Sequence, residues 1–313
     1  MKVSIVIPNY NGASLLKKNL PEVLKVSMLA DEIIIVDDAS TDGSVKGIRN
    51  QESGIRNQGL KTKIKLIINN KNLGFAGTVN RGVAEASGDI VVLLNTDVVP
   101  KENYLTPFIK HFEDKGVFAV GCLDESVEKE GIVRRGRGLG KFERGFLIHS
   151  RGEADKSNTL WISGGSGAFR KEIWIKLGGM STLYNPFYWE DIDLSYRGVK
   201  SGFKILFEPE SIVIHRHNEG AIKSKFSDAE IKKIAYRNQL IFVWKNITDP
   251  DLLLQHLVLL PYHILQSLIR LDFPFLSGLT SALYKLPEVL SERRKVATQF
   301  ILKDREVISK AAK

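Results

Sequence analysis

The sequence predicts an α/β fold of Rossmann-like layout, a mostly parallel sheet with helices on both faces, followed by a helical C-terminal extension. Three observations predict it. Near-continuous Ile/Val-rich runs recur at 3–7 (VSIVI), 32–37 (EIIIVD), 64–68 (IKLII) and 90–94 (IVVLL), as strands buried on both faces require. Segments with helical spacing lie between them, which makes βαβ units and a parallel sheet. Past residue 226 the pattern is helical only.

Taken in order, the first strand runs over Val3–Ile7 and stops at Pro8, and Leu15, Leu16, Leu20 and Leu24 mark the first helix. The second strand, 32–37, leads into a helical segment at 42–53. The third, 64–68, leads into a helix marked by Val79, Val83 and Ala86, and the fourth is 90–94. From Gly116 the pattern is less regular, and the Gly/Arg-rich stretch 131–144 reads as a loop or hairpin over the site. Trp161–Phe169 reads as a strand entering a glycine-rich turn, Lys171–Leu177 and Glu190–Ser201 as helices, and Phe203–Phe207 and Ser211–His215 as closing strands. Helices over 227–246 and 251–271 open the extension. The domain boundaries predicted are 1–225 for an α/β domain, with halves 1–115 and 116–225, and 226–313 for the extension.

A chain of 313 residues, 43% apolar, can bury one large domain plus such an extension. Its single cysteine, Cys122, excludes an internal disulfide, and no Cys/His cluster suggests structural zinc. The N-terminus has no signal-type apolar region or cleavage site, so the protein is expected to stay in the cytoplasm. A net charge of +9 favours an anionic partner. Nucleic acid is not the expected one, because the basic residues are dispersed and no RNA-binding or helix-turn-helix signature appears. Pro8-Asn9-Tyr10-Asn11-Gly12 stands where GxGxxG would follow the first strand, which argues against a nicotinamide enzyme.

In such sheets ligands collect at the carboxyl ends of the strands. Four polar constellations sit there. Asp37-Asp38-Ala39-Ser40-Thr41-Asp42 ends the second strand; its side chains can accept hydrogen bonds from a nucleoside, although Thr41 or Asp42 can also serve only as helix caps. Asn95-Thr96-Asp97 ends the fourth strand, and Asp97 is either a ligand for a hard divalent cation on two phosphates or a turn residue. Phe187-Tyr188-Trp189-Glu190-Asp191-Ile192-Asp193 puts three carboxylates in the first turn of a helix, more than its dipole calls for, and one can act as a general base. His215 ends the last strand with His217 two residues on, either completing a metal site or serving as ordinary core or surface residues.

These motifs, in this order, resemble the family 2 glycosyltransferases with the GT-A fold, in particular bacterial rhamnosyl- and galactofuranosyl-transferases of surface polysaccharide assembly. The resemblance is carried by VSIVIPNYNG (3–12), IIIVDDASTDGS (33–44), NNKNLGFAGTVNRGV (69–83), VVLLNTDVV (91–99), SGGSGAFRKEIW (163–174), FYWEDIDLSYR (187–197) and VIHRHNEG (213–220). It implies that Pro8, Asn9, Asn11, Asp38 and Ser40 line the nucleotide pocket, with Asp38 on the base, and that Asn72, Gly74, Phe75 and Asn80 border nucleotide and sugar. The family's Asp-x-Asp appears here as Asn95-Thr96-Asp97. That match makes Asn95 and Thr96 donor contacts and Asp97 the ligand of Mg²⁺ or Mn²⁺, joined by His215. Asp191 matches the catalytic base and Glu190 its neighbour. The implied reaction is inverting transfer from a UDP- or dTDP-linked sugar to a hydroxyl of a glycan or lipid-linked glycan. Two other readings retain the fold: an inactive carbohydrate-binding scaffold, and a sugar nucleotidyltransferase, for which PNYNG lacks the basic, glycine-rich triphosphate loop.

The segment 251–271 is apolar but interrupted by Gln255, His256, Pro261, His263 and Gln266, too broken for a confident transmembrane span. With Arg270, Arg293, Arg294 and Lys295 nearby, it is expected to lie on an anionic membrane surface at the inner face of the cell membrane, against ordinary packing as the alternative. The run Arg134-Arg135-Gly136-Arg137 either meets an acceptor phosphate or is a solvated turn.

Overall fold

The computed structural model describes residues 1–49, 63–128, 131–216 and 225–312. Its strands are β1 (Val3–Asn9), β2 (Glu32–Asp37), β3 (Lys63–Ile68), β4 (Ile90–Leu93), β5 (Val98–Pro100), β6 (Val117–Glu128), β7 (Gly131–Arg135), β8 (Gly138–Glu143), β9 (Phe146–Arg151), β10 (Ala168–Arg170) and β11 (Lys204–His215). The helices are α1 (Ala13–Val26), α2 (Gly74–Glu85), α3 (Leu105–His111), α4 (Lys171–Lys176), α5 (Glu190–Lys200), α6 (Asp228–Asn246), α7 (Pro250–Ile269), α8 (Phe273–Tyr284), α9 (Leu286–Ala297) and α10 (Asp304–Ala312). Among the described residues nine strands form one mixed sheet in the order β3-β2-β1-β4-β10-β6-β11-β5, with β7 on β6; β8 and β9 pair separately.

Strands β1 to β4 run parallel, with Ile5 opposite Ile33 and Asn9 opposite Asp37. Strand alternation sorts their apolar residues into two cores. Ile5, Ile7, Ile33 and Ile35 meet Leu16 and Leu20 of α1, whereas Val6, Ile34 and Val36 meet Val79 and Val83 of α2. Both faces are thereby covered, as the apolar runs predict. β3 departs from that prediction: it is the sheet edge, with Lys63, Lys65 and Ile68 exposed.

Other segments differ from the sequence reading. Residues 161–167 are turn and irregular chain, and only 168–170 make a strand. The two closing strands are one, β11, whose pairing with β6 shifts register between Glu208 and Ile212. The stretch 131–144 is mostly strand, forming β7 and β8. β6 was not foreseen, because past Leu123 it carries Asp124, Glu125 and Ser126. The segment 42–53 is helical over 44–49, and residues 50–53 lie outside the described residues.

Helix α6 belongs to the same apolar cluster as residues 116–225, through Leu240, Ile241, Phe242 and Val243 against Trp189 and Tyr196. Buried charge fastens it there. Asp193 of α5, fully buried, accepts hydrogen bonds from Arg197 (2.8 Å), Lys245 (3.1 Å), Asn246 (2.8 Å) and the Tyr184 hydroxyl (2.8 Å). Removing one partner of such a network leaves an uncompensated buried charge, at a cost of about 3–5 kcal/mol.

Candidate active site

The carboxyl ends of β1 and β2 are laced together by the residues the sequence singles out. Asn9 donates to Asp37 at 2.8 Å and to the Ser40 hydroxyl at 3.2 Å, and the Asn11 amide donates to the same hydroxyl at 2.8 Å. Asn11 (φ 52°) accepts from the Thr41 amide at 2.8 Å. Pro8 lies one residue before them, opposite Val36. The Asn9 Oδ1 is buried and has no partner among the described residues. Asp42 is a cap, accepting from the amides of Ala13 (2.8 Å) and Ser44 (3.0 Å).

Asp38 is buried and holds the loop before α2. It accepts from Asn69 Nδ2 (2.8 Å), the Leu73 amide (2.8 Å) and the Gly74 amide (3.0 Å). Asn72 Oδ1 caps the Gly74 amide at 3.0 Å. Gly74 has φ 73°, and a Cβ there would fall 2.7 Å from Asn185 Oδ1, so glycine is required on both counts. Asn80 reaches across to the 178–181 turn, donating to the Met180 carbonyl (2.8 Å) and accepting from its amide (2.9 Å), so both ends of its amide are engaged in support.

The β4 end carries Asn95-Thr96-Asp97. Asn95 is pinned by its amide to the Gly165 carbonyl (2.9 Å), and the Thr96 carbonyl accepts from Asn19 of α1 (2.8 Å). Asp97 Oδ2 lies 3.3 Å from His215 Nε2, and His215 Nδ1 lies 3.0 Å from Asp124 Oδ2. β5 pairing with β11 creates this meeting, since His215 stands opposite Val98. Burial by itself lowers the His215 pKa, but its bonds to Asp124 and Asp97 overcome that and raise it to about 9. In the metal-free protein a proton thus fills the gap between two carboxylates.

The donor set suits a divalent cation. Among the described residues no three His, Cys, Asp or Glu side chains form a ready cage, but a cation carried on substrate phosphates needs only one or two protein ligands. Asp97 and His215 supply an oxygen and a nitrogen close enough to share one ion, and Asp124 holds the other histidine nitrogen as the outer carboxylate of a metal-bound histidine does.

The third constellation opens α5. Asp191 is half-buried, its Oδ2 accepting from the Gly164 amide at 3.0 Å and its Oδ1 from the Ile192 amide at 2.8 Å. A Cβ on Gly164 would lie 3.2 Å from the Asp191 Cβ and 3.4 Å from Phe75 Cε1, which places Phe75 close to Asp191. Glu190 is buried behind it with Oε2 unpartnered among the described residues. Burial first, then the charges of Asp191 and Asp193, push the Glu190 carboxyl well above the usual range. Asp193 is structural, as its buried partners show. Gly164 and Gly165 tie two of the constellations together: the Gly164 amide donates to Asp191 and the Gly165 carbonyl accepts from the Asn95 amide, so Asp191 and the Asn95–Asp97 turn are held by adjacent residues.

Tyr188 (φ 70°) and Trp189 (φ 78°) precede Glu190 in the left-handed region, a strained pair for residues of this size. Asn238 of α6, fully buried, offsets the strain by donating to the carbonyls of Tyr184 (2.9 Å), Phe187 (3.0 Å) and Tyr188 (2.9 Å). Sequence reasoning missed Asn238 and Asp124. The i, i+2 spacing of Cys122, Asp124 and Ser126 on one strand face was the available signal for Asp124. His217 lies outside the described residues. The run 134–137 is neither a solvated turn nor uncommitted: Arg134 is 3.4 Å from Glu125, Arg135 pairs with Glu128, and Arg137 is 3.2 Å from Asp155.

The family model "Glycosyl transferase family 2" matches residues 4–178. The O-antigen chain rhamnosyltransferase RfbN of Salmonella typhimurium is 23% identical over 224 residues, covering 70% of this chain and 67% of that protein; the chain spans 43% of the length of the next two curated relatives. Among solved structures, GalNAc-T7 with UDP, GalNAc and Mn²⁺ aligns with TM-score 0.62 and 19% identity over 78% of this chain and 48% of that one. S. aureus TarS 1-349 with UDP-GlcNAc aligns with TM-score 0.58 and 15% identity over 99% and 91%. The fold is that of the GT-A glycosyltransferases.

Proposed function

The chain belongs to glycosyl transferase family 2, and we propose that it is an inverting enzyme moving one sugar from a UDP- or dTDP-linked donor to a hydroxyl of a glycan or lipid-linked glycan in surface polysaccharide assembly. The observation that carries this reading is the Gly164-Gly165 pair, which binds Asp191 on one side and the Asn95–Asp97 turn on the other. This shared turn supports reading Asp191 as the base and the Asn95–Asp97 turn as the cation site of one displacement at an anomeric carbon.

Asp97 and His215 would hold Mg²⁺ or Mn²⁺, which when bound would supply charge neutralisation for the leaving diphosphate. Asn9, Asn11, Ser40 and Asp38 shape the nucleoside end, where the unpartnered Asn9 Oδ1 offers an acceptor to the donor. Asp191 takes the proton of the incoming hydroxyl on the face opposite the leaving group, and the single displacement inverts the anomeric centre. Burial and the neighbouring charges of Asp191 and Asp193 raise the Glu190 carboxyl behind it, which favours the uncharged form beside the base. No thiol nucleophile competes: Cys122 is buried and its thiol is pushed up to about 12, chiefly by desolvation.

Helix α7 is, by length and composition, apolar enough to cross a bilayer, with 17% of its apolar window buried. It packs on the chain through Leu252, His256 and Ser267, while Leu254, Leu257, Val258, Leu265 and Leu268 repeat at helical spacing on its exposed face. This face is read as lying in the plane of an anionic membrane at the cytoplasmic side, near lipid-linked acceptors. The test of function is donor cleavage across a panel of UDP- and dTDP-sugars with Mg²⁺, Mn²⁺ or chelator. Release from at least one donor, abolished by chelator, is expected; no donor bound or cleaved with either metal overturns the reading.

A further inference from the structure

Strand β9 lays two basic side chains along the aromatic wall that leads to the base. His149 and Arg151 share a strand face. The His149 ring meets Trp161 at 5.7 Å and Trp189 at 5.0 Å, both edge-on, and Trp189 immediately precedes Glu190 and Asp191. The Arg151 guanidinium carbon stands 4.3 Å over the Trp161 ring. The arginines of the run 134–137, Arg134, Arg135 and Arg137, each pair with a carboxylate. Arg151 differs from them. Among the described residues it has no carboxylate within ion-pair distance and makes one hydrogen bond, Nη1 to the Gly136 carbonyl at 3.3 Å.

A guanidinium carries five N–H donors in a fork matched to carboxylate or phosphate. The indole occupies one face of this one and leaves the edge donors available. Burial opposes its charge, while the nearby carboxylates of Asp124 and Asp191 favour it. A half-buried guanidinium stacked on an indole, with donors left to offer, has the chemistry of an anion subsite.

We propose that Arg151 binds a phosphoryl oxygen of the substrate, using Trp161 as the platform that fixes its plane. The inference rests on the glycosyl-transfer reading, and two sources share the chemistry: the donor diphosphate and a phosphate on a lipid-linked acceptor. In the first case Arg151 adds positive charge where Asn95 replaces a carboxylate of the family motif.

Arg151→Met keeps an aliphatic stem over the indole and removes the fork; Arg151→Lys keeps the charge. The whole chain is titrated calorimetrically, with Mn²⁺, against UDP, dTDP, uridine and inorganic pyrophosphate, and then, loaded with nucleotide, against decyl phosphate. Arg151→Met is expected to weaken at least one phosphoryl probe tenfold or more, Arg151→Lys by less, with uridine binding and melting temperature unchanged. Loss confined to diphosphates and pyrophosphate identifies the donor as the source; loss confined to decyl phosphate identifies the acceptor. Wild-type affinity of Arg151→Met for every phosphoryl probe overturns the proposal, as does a wild type that binds none, or an equal loss for uridine, which marks a packing role. If Arg151→Met does not fold, a smaller, phosphoryl-specific loss in Arg151→Lys is the deciding result. A wild type that binds pyrophosphate through Arg151 but no nucleotide keeps the subsite and removes the glycosyl-transfer reading.

Discussion

Raising the pH of the metal-free protein from 6 to 10 strips the proton that His215 shares between Asp124 and Asp97, and the geometry sets the cost. Those bonds, at 3.0 and 3.3 Å, outweigh burial and lift the histidine from 6.5 to about 9. A rise of that size corresponds to about 3 kcal/mol of folded-state stability. Because the folded pKa lies above the unfolded one, the contribution is complete below pH 6.5 and disappears as the pH climbs through 9. Lys245 works in the opposite sense: burial pulls it down to about 8, and the penalty on its charged form is relieved above that pH. The wild-type curve therefore mixes two opposed titrations, and a comparison with His215→Gln separates them. Urea unfolding in chelator at unit pH steps should show the wild-type advantage over His215→Gln shrinking by about 3 kcal/mol between pH 6 and 10. An advantage that stays constant refutes the carboxylate–histidine–carboxylate reading. The same linkage predicts that divalent binding releases a proton and tightens as the pH approaches 9.

Asn238→Ala takes the side-chain donor from the Phe187 and Tyr188 carbonyls, while Tyr184 keeps Arg237, so urea unfolding should show a loss of about 2 kcal/mol, and turnover should fall while donor affinity holds; unchanged turnover would detach Asn238 from the base. Gly164→Ala sets a Cβ 2.9 Å from the Met180 methyl and 3.2 Å from the Asp191 Cβ; a fall in kcat of about tenfold with about 1 kcal/mol of destabilisation is expected from steady-state kinetics and melting. Replacing Leu257 and Leu268 by serine, both exposed on α7, should abolish sedimentation with anionic vesicles and leave donor cleavage in solution intact.

The parallel half of the sheet is legible because its strands are buried on both faces, which forces Ile and Val at nearly every position. Asp97, Asp191 and His215 are legible because each ends or begins an element at the sheet's carboxyl edge. β6 escapes, since one of its faces turns to the cleft and carries Asp124 and Ser126 in place of apolar residues. Asn238 escapes for another reason: it acts on a loop about fifty residues earlier, a pairing no local periodicity records. Asp38 and Asn80 lie where the motifs put them, yet their polar atoms bind the chain itself, a distinction that depends on side-chain direction.

Asp191→Asn separates binding from chemistry most directly. Single-turnover transfer from a cleavable donor with Mn²⁺, measured beside donor affinity, should fall by about a hundredfold or more while affinity changes by less than about threefold. Transfer at the wild-type rate by Asp191→Asn would contradict the assignment of Asp191 as the base.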